Sequence, residues 1–231
     1  MAGDRSRLFW ILCTLCGAGV LAFAVWFGGV IPARTCSGPL PRGVSALLAY
    51  QLARTPADVE AVFGAAGSPC RATMVTVMDR ANTVDLTGFI VTYTAFLACF
   101  FLALRRIRAD AIARLGLAAV FAAALFDVLE TATQLHITDR LPGSAAALML
   151  LTIGSRGKFL ALAVVCVCAG LATFVRGRPV GRAAGVLCMA GGLLVIGGLL
   201  SVPARAALTA GNAIAWIVML LYAAQAALRL P

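Results

Sequence analysis

The chain has 231 residues, of which 62% are hydrophobic and 12% charged, and its mean hydropathy is +0.98. Soluble domains carry about 25% charged residues, so this composition excludes one and leaves no room for a separate soluble domain. The net charge of +10 does not point to nucleic acid, because the arginines lie in short segments beside apolar runs, where basic residues set the orientation of spanning helices.

In chain order, Arg5 and Arg7 precede the first apolar run, 8–31. It exceeds the roughly 7–15-residue core of a signal peptide. Ala22-Phe23-Ala24 looks like a small-x-small cleavage site, but Val25, Trp26 and Phe27 carry the apolar run past it. A retained spanning helix is expected. The connection 32–83 is the one long polar stretch, and connections of that length usually hold structure or function of their own. Val44, Leu47, Leu48 and Leu52 fall at helical spacing, which predicts a helix over 44–54 lying on the bilayer surface or on the bundle. A second helix is predicted over 56–63. Thr55 is an N-cap residue, Pro56 suits the first helical position, Asp58 and Glu60 fall in the first turn, and Gly64 stops it.

Cys36 and Cys70 bracket these two helices, and a disulfide between them is expected if the connection faces an oxidising compartment. Two unrelated loop cysteines are the alternative. Cys13, Cys16, Cys99, Cys166, Cys168 and Cys188 lie in apolar runs and read as packing residues.

Further spans are predicted over 84–104, 115–136, 155–175, 183–202 and 206–228, giving an all-α, polytopic six-helix transmembrane bundle. Gly154, Ser155, Arg156 and Gly157 interrupt the apolar stretch 145–175. The expectation is a break there, with 145–153 interfacial or re-entrant and the helix starting near Ser155; one kinked helix is the alternative. Gly181, Gly185, Cys188 and Gly192 recur at i, i+4, i+7 and i+11, a smooth stripe for close helix approach. Ten basic residues in short segments, Arg105, Arg106, Arg108, Arg176, Arg178 and Arg182 among them, stand against seven spread over the other connections. That bias predicts a cell (inner or plasma) membrane protein with both termini cytoplasmic and 32–83 extracytoplasmic.

The residues with chemistry gather around the third span. Asp127, Glu130 and Gln134 are spaced i, i+3, i+7 and share one helix face, with Thr131 at its edge. Lys158, the only lysine in the chain, lies in the next apolar run, and Asp85 opens the second span from the same side, with Tyr93 two turns further in. Counted from the predicted helix ends, Glu130 lies about 9 Å, Asp127 about 14 Å and Lys158 about 5 Å inside one boundary. An outward-facing polar pocket follows, and an intramembrane charge is a functional-site hypothesis by default. Two carboxylates beside one ammonium can share or exchange a proton. This suits the binding or transport of a small solute, ion or lipid headgroup, or an acid/base pair in a lipid-modifying enzyme. A salt bridge that only fixes helix register, in a scaffold or accessory subunit that meets a protein partner through 32–83, fits the same residues. No Gly-x-Ser-x-Gly or Walker-type motif supports an enzyme, and the single histidine, His136, excludes a multi-histidine metal centre within the chain. No metal or cofactor is implied.

Overall fold

A computed structural model of the chain describes residues 2–105, 110–175 and 179–229. Arg106, Arg108, Arg176 and Arg178, part of the orientation signal, lie outside them. The described residues form an all-α bundle in which six helical segments are long and apolar enough to cross a membrane. They are α1 (Ala2–Val30), α4 (Arg71–Val84) continued through a π turn (Asp85–Phe89) into α5 (Ile90–Arg105), α6 (Asp110–Asp139), α7 (Ala145–Phe174), α8 (Pro179–Leu200) and α9 (Ala206–Arg229). Between α1 and α4 come a two-residue hairpin, β1 (Arg34–Thr35) with β2 (Gly38–Pro39), and two short helices, α2 (Ala46–Gln51) and α3 (Pro56–Phe63). Large apolar side chains on the spanning helices, among them Leu15, Val25, Leu125, Leu193 and Leu221, are exposed. A surface of this kind contacts lipid.

Contacts divide the chain into two compact units. The first comprises Met1–Leu21, Val91–Ala124 and Phe159–Pro231, and small residues set its packing. A Cβ on Gly185 would fall 2.6 Å from the Gly170 carbonyl oxygen, one on Gly192 2.9 Å from that of Ala163, and one on Gly191 2.6 Å from that of Gly211. Gly185 and Gly192 of the stripe thus seat α8 at backbone distance from α7, and Gly191 beside it does the same toward α9, the close approach that substitutes for a hydrophobic driving force between helices in lipid. Elsewhere in this unit Trp10 of α1 packs edge-on against Phe100 and Tyr222.

The second unit comprises Ala22–Ile90 and Leu125–Lys158. Its apolar core joins Tyr50, Val59, Val62 and Phe63 of the connection to Met74 and Met78 of α4, Ile137 of α6, and Leu148 and Leu151 of α7. The connection is therefore a packed cap. Its local signals act as the sequence predicts: Thr55 Oγ1 accepts the Asp58 N–H at 3.2 Å, Asp58 Oδ2 accepts the Thr55 N–H at 2.9 Å, and Gly64 ends α3 at φ 79°. Cys36 and Cys70 are joined by a disulfide. The hairpin is tied to α3 by bonds from the Cys36 N–H to the Val62 carbonyl and from the Ser37 N–H to the Ala61 carbonyl.

Two expected boundaries move. The second span starts at Arg71 rather than near 84, so much of the predicted loop is helix. Residues 71–83 are too polar for a hydropathy reading, yet Met74, Met78, Ala81 and Asn82 form one buried helical face. The expected break at 154–157 is absent, because Ala145–Phe174 is one helix. Both glycines serve close packing inside it. A Cβ on Gly154 would lie 2.8 Å from the Glu130 amide nitrogen and 2.9 Å from Glu130 Cα, and one on Gly157 would meet the Phe126 ring at 2.5 Å. Arg156 is exposed on the helix surface and needs no helix end.

Because the obstruction at Gly154 is backbone, Gly154→Ala is expected to destabilise by about 1–3 kcal/mol. Gly197, with nothing within 4 Å of a built Cβ, is the control: there alanine should be neutral or stabilising by up to about 1 kcal/mol through helix propensity. Thermal denaturation of both variants in one detergent checks the contrast.

Candidate functional site

Asp127 and Glu130 stand one turn apart on α6, and both reach Lys158 on α7. The Lys158 ammonium donates to Asp127 Oδ1 at 3.0 Å and to Glu130 Oε1 at 2.8 Å. Their exposures are 3% for Asp127, 0% for Glu130 and 5% for Lys158, so all three sit in a low-dielectric interior where an uncompensated charge is costly. Gly154 makes the bridge short: with no Cβ there, α7 lies against the backbone of Glu130 itself.

Asp85 approaches from the other side. It opens the π turn, in which the Ile90 N–H donates to the Asp85 carbonyl five residues back. Such turns frequently occur at functional positions. The Asp85 side chain is buried, and its Oδ2 accepts the Thr131 hydroxyl at 2.7 Å. Three buried carboxylates, Asp85, Asp127 and Glu130, thus gather around one ammonium.

One helical turn toward the α6 C-terminus the polar interior continues. Thr138 Oγ1 donates to Asp79 Oδ1 at 2.6 Å, and the Tyr50 hydroxyl of the cap donates to the Gln134 carbonyl at 2.6 Å. Burial, and then the Asp79 carboxylate, push the Tyr50 phenol above its ordinary value, so it stays a donor. Between these bonds and the ion cluster lie two buried amides, Asn82 and Gln134, each 1% exposed. Asn82 Nδ2, Gln134 Nε2, Gln134 Oε1 and Glu130 Oε2 are buried with no hydrogen-bond partner among the described residues.

Of the six residues the sequence singles out, Asp85, Asp127, Glu130, Gln134 and Lys158 all fall in the second unit. Tyr93 falls in the first, where its ring stacks on Trp216 with centroids 5.5 Å apart. The cluster is also deeper than expected. Lys158 is the fourteenth of the 30 residues of α7 and Glu130 lies nine residues before the α6 end, about 20 Å and 14 Å along their helices. Those helices run past the predicted ends, so Lys158 is near the middle of its span. The charged groups form a closed cluster. A groove of about 300 Å³ lies on the exposed face of α6, lined by Ala132, Thr133, His136, Ser144, Ala146, Ala147 and Leu150. It contains none of the charged candidates.

Sequence reasoning missed Tyr50, Asp79, Asn82 and Thr138. The recurrence of Met74, Met78, Asn82 and Asp85 at helical spacing was the available signal. Among the described residues, no group of three or more His, Cys, Asp or Glu side chains is placed to hold a metal ion. No protein-family model, curated protein or solved structure matches the chain, so a functional reading rests on the chemistry of this cluster.

Proposed function

We propose that this multi-pass membrane protein binds or moves a small solute, ion or lipid headgroup at the Asp127, Glu130 and Lys158 cluster. The two carboxylates act as charge-coupling groups and Lys158 as their counter-ion. One observation carries the reading: the cluster holds more polar capacity than a bridge needs. One acid and one lysine suffice to fix helix register, whereas here Glu130 Oε2 and both ends of the Gln134 amide lack a partner among the described residues. Each such buried group costs about 1–3 kcal/mol, and a bound species that meets them removes that cost. The arginine distribution and the Cys36–Cys70 disulfide support a cell membrane location, with both termini cytoplasmic and the cap on the oxidising side.

The test is purification of wild type and Glu130→Gln from membranes, followed by mass spectrometry of what co-purifies. The wild type is expected to retain a molecule above the level of bulk lipid, and folded Glu130→Gln to lose it. Equal retention by both proteins, or none by either, would overturn the reading.

The backbone contact at Gly154 favours a second reading, a structural bridge locking α6 to α7 in a scaffold or accessory subunit that meets its partner through the cap. On that reading nothing is retained, and disruption of partner binding follows from changes in the cap instead.

A further inference from the structure

Polar groups descend α6 in steps. Asp79 with Thr138 comes first, Asp85 with Thr131 lies two turns further along, and Glu130 with Lys158 follows directly. Thr138 to Glu130 covers about 12 Å of helix. These two bonds fix the antiparallel register, and the register brackets one level: Asn82 is three residues from both Asp79 and Asp85, and Gln134 lies between Thr131 and Thr138. At this level the side-chain hydrogen bonding is incomplete among the described residues. Two donors, Asn82 Nδ2 and Gln134 Nε2, and two acceptors, Gln134 Oε1 and Glu130 Oε2, are buried without partners among the described residues.

We infer that water occupies the level of Asn82 and Gln134 and carries protons between Asp79 and Glu130, so that proton uptake at the charged cluster is coupled to the solute or lipid headgroup bound there. The inference rests on the charge-coupling reading of that cluster. Two unmet donors and two unmet acceptors match the hydrogen-bonding capacity of water, and buried water typically makes about three bonds to groups otherwise unsatisfied. Asp79 is only partly buried, which makes it the entrance. The two amides between the acids are neutral, so they hold water without fixing a proton on the way. The transfer step breaks an O–H bond in the water adjoining Glu130 and forms one at Glu130 Oε2, while a proton entering at Asp79 restores the water; release reverses both. The groups facing Glu130 are Asp127 on its own helix, Lys158 on α7 and Asp85 at the start of the π turn, with Tyr50 of the cap one turn away.

The test is infrared spectroscopy of the full chain in nanodiscs while the buffer pH is switched. The carboxyl stretch of Glu130 is assigned by its disappearance in Glu130→Gln. The wild type is expected to show a reversible Glu130 signal. Asn82→Leu and Gln134→Leu, checked for folding by thermal denaturation, should slow it by about tenfold or more. If leucine unfolds the protein at either position, Asp79→Asn at the partly exposed end makes the same test. A wild type with no pH-linked Glu130 signal, or unchanged rates in the folded variants, overturns the path. If such a protein still loses its co-purified molecule in Glu130→Gln, the site reading stands and only the water path falls.

Discussion

Lys158→Met is expected to destabilise the protein by about 3–5 kcal/mol, because removing one partner of a buried ion cluster leaves the others uncompensated. Asp127 and Glu130 both bond the same ammonium, so methionine leaves two carboxylates one turn apart with no cation between them. Asp127→Asn or Glu130→Gln alone should cost less, since the remaining acid keeps its bond to Lys158. The triple change Asp127→Asn, Glu130→Gln, Lys158→Met removes every charge of the bridge and should recover most of the loss, with the strongly non-additive coupling of groups in direct contact. Denaturation of the four variants in one lipid and detergent mixture decides the matter. A cost below about 1 kcal/mol for Lys158→Met would mean that the three side chains do not act as a buried unit. The triple variant also separates the two functional readings. A bridge is served by any arrangement that restores stability, whereas a binding site stays empty in a folded protein without its charges.

Removing the disulfide should have the next largest effect. Cys36 and Cys70 are 34 residues apart in sequence, and closing a loop of this size is worth about 3–4 kcal/mol on the chain-entropy account. The double change Cys36→Ser, Cys70→Ser is therefore expected to loosen the cap, exposing Tyr50 and Phe63, which are buried and in edge-on contact. Limited proteolysis should then cut between residues 31 and 70, and reductant should lower the melting temperature of the wild type but not of the double variant. An unchanged melting temperature on reduction would show that the apolar core of the cap holds it closed without the bond.

Number and order of the spans were legible in the sequence because hydropathy and capping are local properties. Thr55, Pro56, Asp58 and Gly64 specify α3 within ten residues. The start of α4 was not legible, because 71–83 is polar on average and its helix is defined by Met74 and Met78 packing on the cap and on Ile137. Gly154 and Gly157 show the same limit in another form. Alone they signal a break, but beside the Glu130 backbone and the Phe126 ring they permit contact. For the cluster, helical periodicity placed Asp127, Glu130 and Gln134 on one face, and the isolation of the only lysine marked Lys158. The Thr131 bond to Asp85, and the level shared by Asn82 and Gln134, depend on how two antiparallel helices align. That alignment is a property of the pair, and the periodicity of either helix alone does not contain it.

The burial of Lys158 also gives the protein a chemical signature. As the only lysine in the chain, at 5% exposure, it leaves the folded surface without a lysine for amine-directed reagents to modify. Each lysine adduct therefore marks a molecule in which α6 and α7 have parted. The fraction of chains with an adduct mapped to Lys158 becomes a direct measure of opening at one known position.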